Sequence, residues 1–238
     1  MRPDGRANDE LRPVKLELSY LDHAEGSCLA TAGKTRVLCA ASVETRVPPF
    51  LVGSGSGWIT AEYALLPRST HQRTAREVDR PRSRSQEIKR FIGRSLRAVC
   101  DMSALGERQI VIDCDVIQAD GGTRTLALTG GFCALAQACR RLLERGDIKK
   151  SPIIEPIAGT SVGKVKGELV VDLCYAEDSQ AEMDMNLALT RSGRIVEIQA
   201  TAERMPFTFD ELVRLHDLAA QAIGRLSALQ DTALARRQ

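Results

Sequence analysis

Residues 108–124 of the chain are RQIVIDCDVIQADGGTR. Apolar and polar side chains alternate over residues 110–116, which predicts a strand with one buried face. The run DGGTR at 120–124 breaks this pattern, and residues 125–143 are apolar on nearly every side, as in a buried helix. This stretch therefore predicts a strand, a glycine turn and a helix in direct succession.

The glycine turn is a candidate anion site. Gly121 and Gly122 permit a tight turn and a close approach of the backbone to a ligand. The helix that follows offers unpaired N–H groups and the positive end of its dipole, to which Thr123 and Arg124 add a hydroxyl and a guanidinium. These residues alone support a phosphate-sized site and an ordinary strand-to-helix turn equally.

Further elements are predicted on both sides of this stretch. Four strands and a basic loop precede a helix over 85–101, whose apolar residues recur at helical spacing. Downstream, a block of strands over 157–202 precedes a C-terminal helix that begins with a capping box at 208–211. Runs of strands with helices packed on one side favour an α+β fold. We expect a single domain of two sheet-and-helix halves, roughly 1–145 and 146–238.

Length and composition exclude several classes of protein. The chain has 238 residues, 43% apolar and 27% charged, which is ordinary globular usage. No apolar run approaches the ~18 residues of a membrane span, and no secretory signal is visible, so we expect a cytoplasmic protein without membrane contact. Seven irregularly spaced cysteines with no C-x-x-C pair indicate reduced structural thiols. Motifs of serine hydrolases, zinc proteases and P-loop kinases are missing from the sequence.

Charge is distributed unevenly although the net charge is only +2. Residues 68–97 contain ten basic and three acidic residues, whereas residues 167–190 contain six acidic residues and no Lys or Arg. The first segment indicates an anion site and the second a cation site. Arg84, near the start of the predicted helix, can bind phosphate oxygens bidentately, with Arg82 as the other candidate. Solvation in a charge run is the alternative for any one of these arginines.

The basic loop, residues 67–84, also carries Arg68, Arg73 and Arg76. Three guanidiniums on one loop can neutralise phosphates of a nucleic-acid backbone without reading its bases. An interface loop or a loop that promotes solubility is the alternative interpretation.

The acidic segment offers two candidate carboxylates, Asp178 and Asp184. Polar and apolar side chains alternate over residues 182–189, which predicts a strand with Asp184 on its polar face. Asp178 lies just before it, at the end of the preceding strand or in its loop. Such a pair can hold one Mg²⁺, which prefers hard oxygen ligands, or act as general acid and base. Residue type alone favours a solvated strand face.

These motifs stand in longer stretches that resemble the bacterial ribonuclease PH family of phosphate-dependent 3′ exoribonucleases. The resemblance covers essentially the whole chain, and it rests on MRPDGR at 1–6, HAEGS at 23–27, GWITAEY at 57–63, LPRSTH at 66–71, residues 113–124, EDS at 177–179 and DMN at 184–186. Family members carry a glycine-rich stretch before the phosphate-binding arginine, whereas this chain has RPRS at 80–83.

The resemblance implies a fold of two βαβα-like halves, similar to the second domain of a ribosomal protein, and a homohexameric ring built as a trimer of dimers. It implies that inorganic phosphate attacks the 3′-terminal phosphodiester of tRNA precursors and other structured RNA, releasing nucleoside 5′-diphosphates in a reversible reaction. Mg²⁺ is the expected cofactor. The residues carried over are Arg84, Gly122, Thr123 and Arg124 for phosphate, Asp178 and Asp184 for catalysis and metal, and Arg68, Arg73 and Arg76 for tRNA.

Two other functions stay open from the sequence. One is a catalytically silent, RNA-binding ring subunit of an exosome-like assembly. The presence of both phosphate-site arginines and both acidic residues speaks against it, because a silent subunit has no need of them. The other is a small-molecule phosphotransferase, which would leave the basic loop unexplained.

Overall fold

Two β-sheets and three long helices form the part of the chain that the computed structural model describes, residues 2–76, 83–203 and 206–236. The first sheet contains β1 (Val14–Leu18), β2 (Gly26–Ala32), β3 (Thr35–Glu44), β4 (Trp58–Leu65) and β5 (Gln109–Gln118) in the order β1-β2-β3-β5-β4. Only the β4–β5 pair of this sheet is parallel. The second sheet contains β6 (Ile157–Val165), β7 (Glu168–Val171), β8 (Met183–Thr190) and β9 (Ile195–Ala202), all antiparallel, in the order β7-β6-β8-β9.

The helices are α1 (Ser83–Ala98), α2 (Met102–Leu105), α3 (Thr123–Glu144), α4 (Tyr175–Asp178) and α5 (Phe209–Ala235), with a 3₁₀ turn at Pro49–Leu51. Helix α3 packs against β2, β3 and β5 of the first sheet and against β6 of the second. Helix α1 packs on β4, and α5 packs on β6 and β1. Because α3 touches both sheets, its nearly all-round apolar surface is buried, as the sequence predicts. None of the described helices is long and apolar enough to cross a membrane.

The predicted α+β fold is confirmed, and the first difference from the expected helices lies at the end of α1. The helix expected over 85–101 instead ends at Ala98, and a separate short helix, α2, begins at Met102. The side chain of Asp101 causes this second start, because it accepts hydrogen bonds from the backbone N–H groups of Ser103 and Ala104 and so caps α2. The buried stripe on α1 is otherwise as the spacing predicts.

The close packing of α3 on β2 depends on Gly26. A Cβ atom there would lie 2.0 Å from the carbonyl oxygen of Ala134 and 2.9 Å from the backbone nitrogen of Ala138. We expect Gly26→Ala to lower the free energy of unfolding by about 1–3 kcal/mol, because neither backbone group can yield without moving the helix. Urea denaturation followed by circular dichroism measures the change.

Gly224→Ala is the matched control for this substitution. Gly224 lies on α5, and nothing stands within 4 Å of the Cβ that the substitution adds. Alanine also favours the helix over glycine by about 1 kcal/mol, so this variant should be neutral or slightly stabilised. Equal losses of stability in the two variants would contradict the packing explanation.

Candidate active site

An open cleft of about 1300 Å³ lies between the two halves of the chain. Its walls come from the basic loop, the first turns of α1 and α3, helix α4, and strands β8 and β9. The structure brings seven of the nine predicted site residues to this cleft: Arg73, Arg84, Gly122, Thr123, Arg124, Asp178 and Asp184. Arg68 and Arg76 are exposed on the same loop but are not among the described lining residues. Arg82, the other candidate for phosphate, lies outside the described residues.

The glycine turn lies between β5 and α3, in the order of elements that the sequence predicts. Gly121 and Gly122 have φ angles of +78° and +65°, a left-handed conformation that favours glycine. Helix α3 begins at Thr123, two residues before the predicted start at 125, and Gly122 is its N-cap. The hydroxyl of Tyr63 on β4 lies 2.8 Å from Oγ1 of Thr123 and donates a hydrogen bond to it. The turn therefore presents the first N–H groups of α3 and an oriented threonine to the cleft.

Arg124 is held in place by two residues that the sequence analysis did not identify. Its Nη1 atom donates to Oε1 of Glu87 on α1 at 2.9 Å and also contacts Oε1 of Gln199 on β9. Only 15% of the arginine side chain is exposed. Glu87 stands three residues after Arg84, a helical spacing that places the two on one face and could have indicated it. Gln199 could be found only from the pairing of β9 with β8, where it lies opposite Asn186.

Arg84 lies in the first turn of α1 and is exposed to the cleft. Burial raises the pKa of Tyr63, and the positive charge of Arg84 opposes that rise. Desolvation likewise raises the pKa of Asp178, again opposed by Arg84 and by Arg124. The positive charge of Arg84 therefore acts both on Tyr63 of β4 and on Asp178 of α4.

Asp178 is the last residue of α4, a short helix where the sequence analysis expected a strand end or a loop. The helix forms because Glu177 reaches back and accepts a hydrogen bond from the backbone N–H of Cys174, its N-cap, at 3.0 Å. The carboxylate of Glu177 is only 2% exposed and pairs with Arg2 at 2.7 Å. Of the two adjacent acidic residues, Asp178 alone therefore lines the cleft.

Asp184 lies on the polar face of β8, between the buried side chains of Met183 and Met185, as predicted. The amide of Asn186 donates to its Oδ2 atom at 3.4 Å. Desolvation raises the pKa of Asp184, and the negative charges of Asp178 and Glu203 raise it further. Glu203 also raises the pKa of Asp178, but two arginines oppose the rise there, whereas for Asp184 Arg124 and a backbone hydrogen bond oppose it.

The acidic side chains that line the cleft suit a cation that keeps part of its water shell. Among the described residues, no three His, Cys, Asp or Glu side chains converge in a way that could hold a metal ion. Four acidic side chains line the cleft, Glu87, Asp178, Asp184 and Glu203. Glu87 pairs with Arg124, and Asp178 and Asp184 could give an ion one or two carboxylates. Mg²⁺ is typically bound in this manner, with waters and substrate phosphate oxygens completing its octahedral shell. These residues therefore fit Mg²⁺ together with a phosphate-bearing substrate.

Comparison with protein families matches both parts of the chain. Residues 10–140 match the 3′ exoribonuclease family, domain 1, and residues 155–222 match domain 2 of the same family. The ribonuclease PH of Moorella thermoacetica is 56% identical over 236 residues, which cover 98% of this chain and 94% of the relative. The ribonuclease PH of Methylobacterium radiotolerans is 57% identical over 237 residues, covering 99% and 100%.

Solved structures with the same fold are more distant in sequence. Rice (Oryza sativa) Rrp46 superposes with a TM-score of 0.80 at 19% identity, covering 98% of this chain and 100% of that one. An Archaeoglobus fulgidus exosome chain, in a structure with RNA bound to the active site, superposes with a TM-score of 0.79 at 20% identity, covering 94% and 91%. These likenesses concern the fold. The family matches and the identity to the two bacterial relatives show that the chain belongs to the 3′ exoribonuclease family, among its phosphorolytic ribonuclease PH members.

Proposed function

We propose that this phosphorolytic 3′ exoribonuclease trims the 3′ ends of tRNA precursors in the cleft described above. The observation that carries this assignment is the meeting of Arg84, Arg124 and two carboxylates in one open cleft. An inorganic phosphate needs a cationic cradle, and a scissile phosphodiester needs acidic groups beside its leaving oxygen. The cleft has room for both at once.

Inorganic phosphate binds, in this proposal, to the guanidiniums of Arg84 and Arg124 and to the first N–H groups of α3. Gly122 lets the backbone approach the anion, and the hydroxyl of Thr123, held by Tyr63, adds a further hydrogen bond. A phosphate oxygen then attacks the phosphorus of the 3′-terminal phosphodiester. The bond from that phosphorus to the 3′ oxygen of the preceding nucleotide breaks, and a nucleoside 5′-diphosphate leaves.

The departing 3′ oxygen requires a proton, and the surroundings of Asp184 support it as the donor. Its pKa is raised by desolvation and by two neighbouring carboxylates, which favours the protonated form. Asp178, which two arginines face, is better suited to remain ionised and to bind Mg²⁺. When bound there, Mg²⁺ would offset the charge that develops on the phosphodiester oxygens.

The test is the fate of a 3′-extended tRNA incubated with pure protein and Mg²⁺, with and without inorganic phosphate. Release of nucleoside diphosphates that depends on phosphate supports the proposed reaction at this site. Nucleoside monophosphates formed without phosphate would contradict the assignment of Arg84 and Arg124. RNA that binds but stays intact would favour the silent ring subunit, for which the exosome likenesses at 19–20% identity give no specific support.

The basic loop is proposed to hold the body of the RNA. Arg73 lines the cleft, and Arg68, whose guanidinium donates to the carbonyl of His71 at 3.0 Å, is exposed beside it. Replacing Arg68, Arg73 and Arg76 together by alanine should weaken tRNA binding. It should also reduce the slope of log K against log salt by about 0.7–0.9 for each lost phosphate contact. Filter binding over a salt series measures this, and the affinity for free phosphate should be unchanged.

A triple variant of Lys15, Arg46 and Lys150 is the matched control, because it removes the same charge from exposed positions outside the described cleft lining. Its salt slope should equal that of the parent protein. A slope that falls equally in both triple variants would mean that net charge, and not the basic loop, governs binding.

We also propose a single domain of two halves, a homohexamer built as a trimer of dimers, and a cytoplasmic location. The burial of α3 between both sheets supports one domain. Exposed apolar side chains, among them Phe50, Val52 and Phe209 at 70–75% exposure, support contacts between subunits. All seven cysteines are unpaired and buried, as expected in a reducing compartment. Light scattering on the eluting protein tests the hexamer.

A further inference from the structure

Buried arginines stand out in the N-terminal arm, which we define as residues 2–12. Arg2 and Arg12 are only 7% and 4% exposed. A buried guanidinium is costly unless all its donors find partners, and these two have them. Neither residue is among the described residues that line the cleft.

Arg12 joins the two halves of the molecule through a single guanidinium. Its Nε and Nη2 atoms donate to the carboxylate of Asp172, which follows β7 in the second half, at 3.0 and 2.7 Å. Its Nη1 atom donates to the carbonyl of Asp120, directly before the glycine turn, at 2.6 Å. The glycine turn, which is the proposed phosphate site, and the segment that leads from Asp172 into α4 are therefore both bound by the side chain of Arg12. We call the glycine turn the phosphate turn below.

The backbone of Asp172 gives independent evidence that this link is under constraint. Asp172 has a φ angle of +54°, a left-handed conformation that is uncommon for a residue with a side chain. Its carboxylate also accepts from the backbone N–H of Arg12 at 2.8 Å, and its own N–H donates to Ser161 at 2.6 Å. Such conformations persist where the surrounding contacts hold them and cluster at functional sites.

Arg2 binds the far end of the segment that runs from Asp172 into α4. It binds both carboxylate oxygens of Glu177, at 2.7 and 2.9 Å, and the carbonyl of Val171 at 2.9 Å. Glu177 in turn caps α4, so Arg2 fixes the turn of helix that ends in Asp178. The residues that touch Arg2 lie within the arm or in the second half, and not at the phosphate turn.

The two tied segments also touch each other directly. A Cβ atom on Gly121 would lie 2.4 Å from the carbonyl oxygen of Leu173 and 2.9 Å from the backbone nitrogen of Tyr175. The phosphate turn thus lies against the first residues of α4 with no side chain between them. A shift of one segment must move the other.

From these contacts we infer that Arg12 and Arg2 are positioning residues, which set the distance between the bound phosphate and Asp178. The inference rests on the proposed function, since it presumes that phosphate binds at the glycine turn. Attack on the phosphodiester needs the two reactants in a fixed approach, and a displacement of about 1 Å can cost roughly 10²-fold in rate. The buried ion pairs hold this approach from outside the cleft.

Arg12→Lys and Arg2→Lys test the inference, because lysine keeps the charge but its single ammonium cannot make both sets of contacts. For Arg12→Lys we expect kcat to fall roughly 10–100-fold and the KM for phosphate to rise, since it touches both segments. For Arg2→Lys we expect kcat to fall with the KM for phosphate unchanged. Calorimetry of phosphate binding should give the parent stoichiometry for both, so an unfolded fraction does not explain the loss.

Arg225→Ala is the matched control. Arg225 also binds the arm, through the carbonyl of Asp9 at 2.9 Å, but it reaches neither segment of the site. Its kcat should equal that of the parent protein. Parent kcat in both lysine variants, or a kcat loss matched by a lost fraction of phosphate-binding sites, would overturn the inference. Failure of the proposed function is separable, because Arg124→Ala and Asp184→Asn would then retain activity.

Discussion

Replacing Arg124 with alanine is expected to lower kcat/KM for phosphate by roughly 10²–10³-fold, because truncating one partner of a buried, hydrogen-bonded charge pair costs about 2–5 kcal/mol. The side chain is mostly buried at the start of α3, where its charge adds to the N-terminal end of the helix dipole. The loss should appear mainly as a higher KM for phosphate. Affinity for tRNA, which the basic loop is proposed to provide, should change little.

Glu87 accounts for part of the expected loss of phosphate affinity. In the parent protein its carboxylate pairs with Arg124 at 2.9 Å, and in Arg124→Ala it would remain in the phosphate site as an uncompensated negative charge. Part of the loss is therefore repulsion. The double variant Arg124→Ala with Glu87→Gln should recover a measurable part of the phosphate affinity, as initial rates across a phosphate series would show.

The control for Arg124 is Arg94→Ala, which removes an exposed arginine of α1 that is not among the described lining residues. Its phosphate KM should match that of the parent protein. Arg124→Ala with a parent KM for phosphate would remove Arg124 from the proposed cradle and leave Arg84 as its main cation.

The second large effect is expected for Asp184→Asn, which should lower kcat by roughly 10²–10⁴-fold, the contribution of a positioned general acid. Asparagine keeps the shape and the contact with Asn186 but cannot give a proton to the departing 3′ oxygen. Binding of phosphate and of tRNA should be preserved. Rapid-quench measurement of one turnover, with the enzyme in excess, isolates this step.

A substrate with sulfur in place of the bridging 3′ oxygen separates the roles of the two carboxylates. A thiolate leaves without a proton, because a thiol is a far stronger acid than an alcohol. This substrate should restore most of the rate of Asp184→Asn. It should not restore Asp178→Asn, whose defect should instead appear as a higher Mg²⁺ concentration for half-maximal rate.

Asp217→Asn, at an exposed position on α5, controls for the loss of a carboxylate as such. It should behave as the parent protein does with both substrates. Equal rescue of Asp178→Asn and Asp184→Asn by the sulfur substrate would contradict the assignment of proton donation to Asp184 and Mg²⁺ binding to Asp178.

Much of the site is predictable because its parts are local in sequence. Gly121, Gly122 and Thr123 follow one another, and the turn that they form depends on short-range backbone conformation. Asp184 could be assigned to the polar face of a strand from the alternation around it, since strand periodicity needs only neighbouring residues. The role of each residue still came from a resemblance to a family, because residue type alone favoured a solvated surface for the carboxylates.

Other parts of the site depend on contacts that no local pattern reveals. Gln199 meets Arg124 only because β9 pairs with β8. Glu177, which caps the helix that carries Asp178, is buried beside Arg2, 175 residues earlier in the chain. In the sequence, Glu177 is one acid among six and indicates a cation site as well as any other.

The sequence by itself determined the order of the strands and the three long helices, the buried faces of α1 and α3, and the uneven charge, since each follows from periodicity or composition. Only the tertiary structure decided which charged side chains face the cleft and which form ion pairs inside the protein. The physical reason is that burial requires each charge to have a partner, and the partner of Asp172 or Glu177 comes from the far end of the chain. Pairing across 160 residues or more is settled by packing, which a single sequence does not encode in any local pattern.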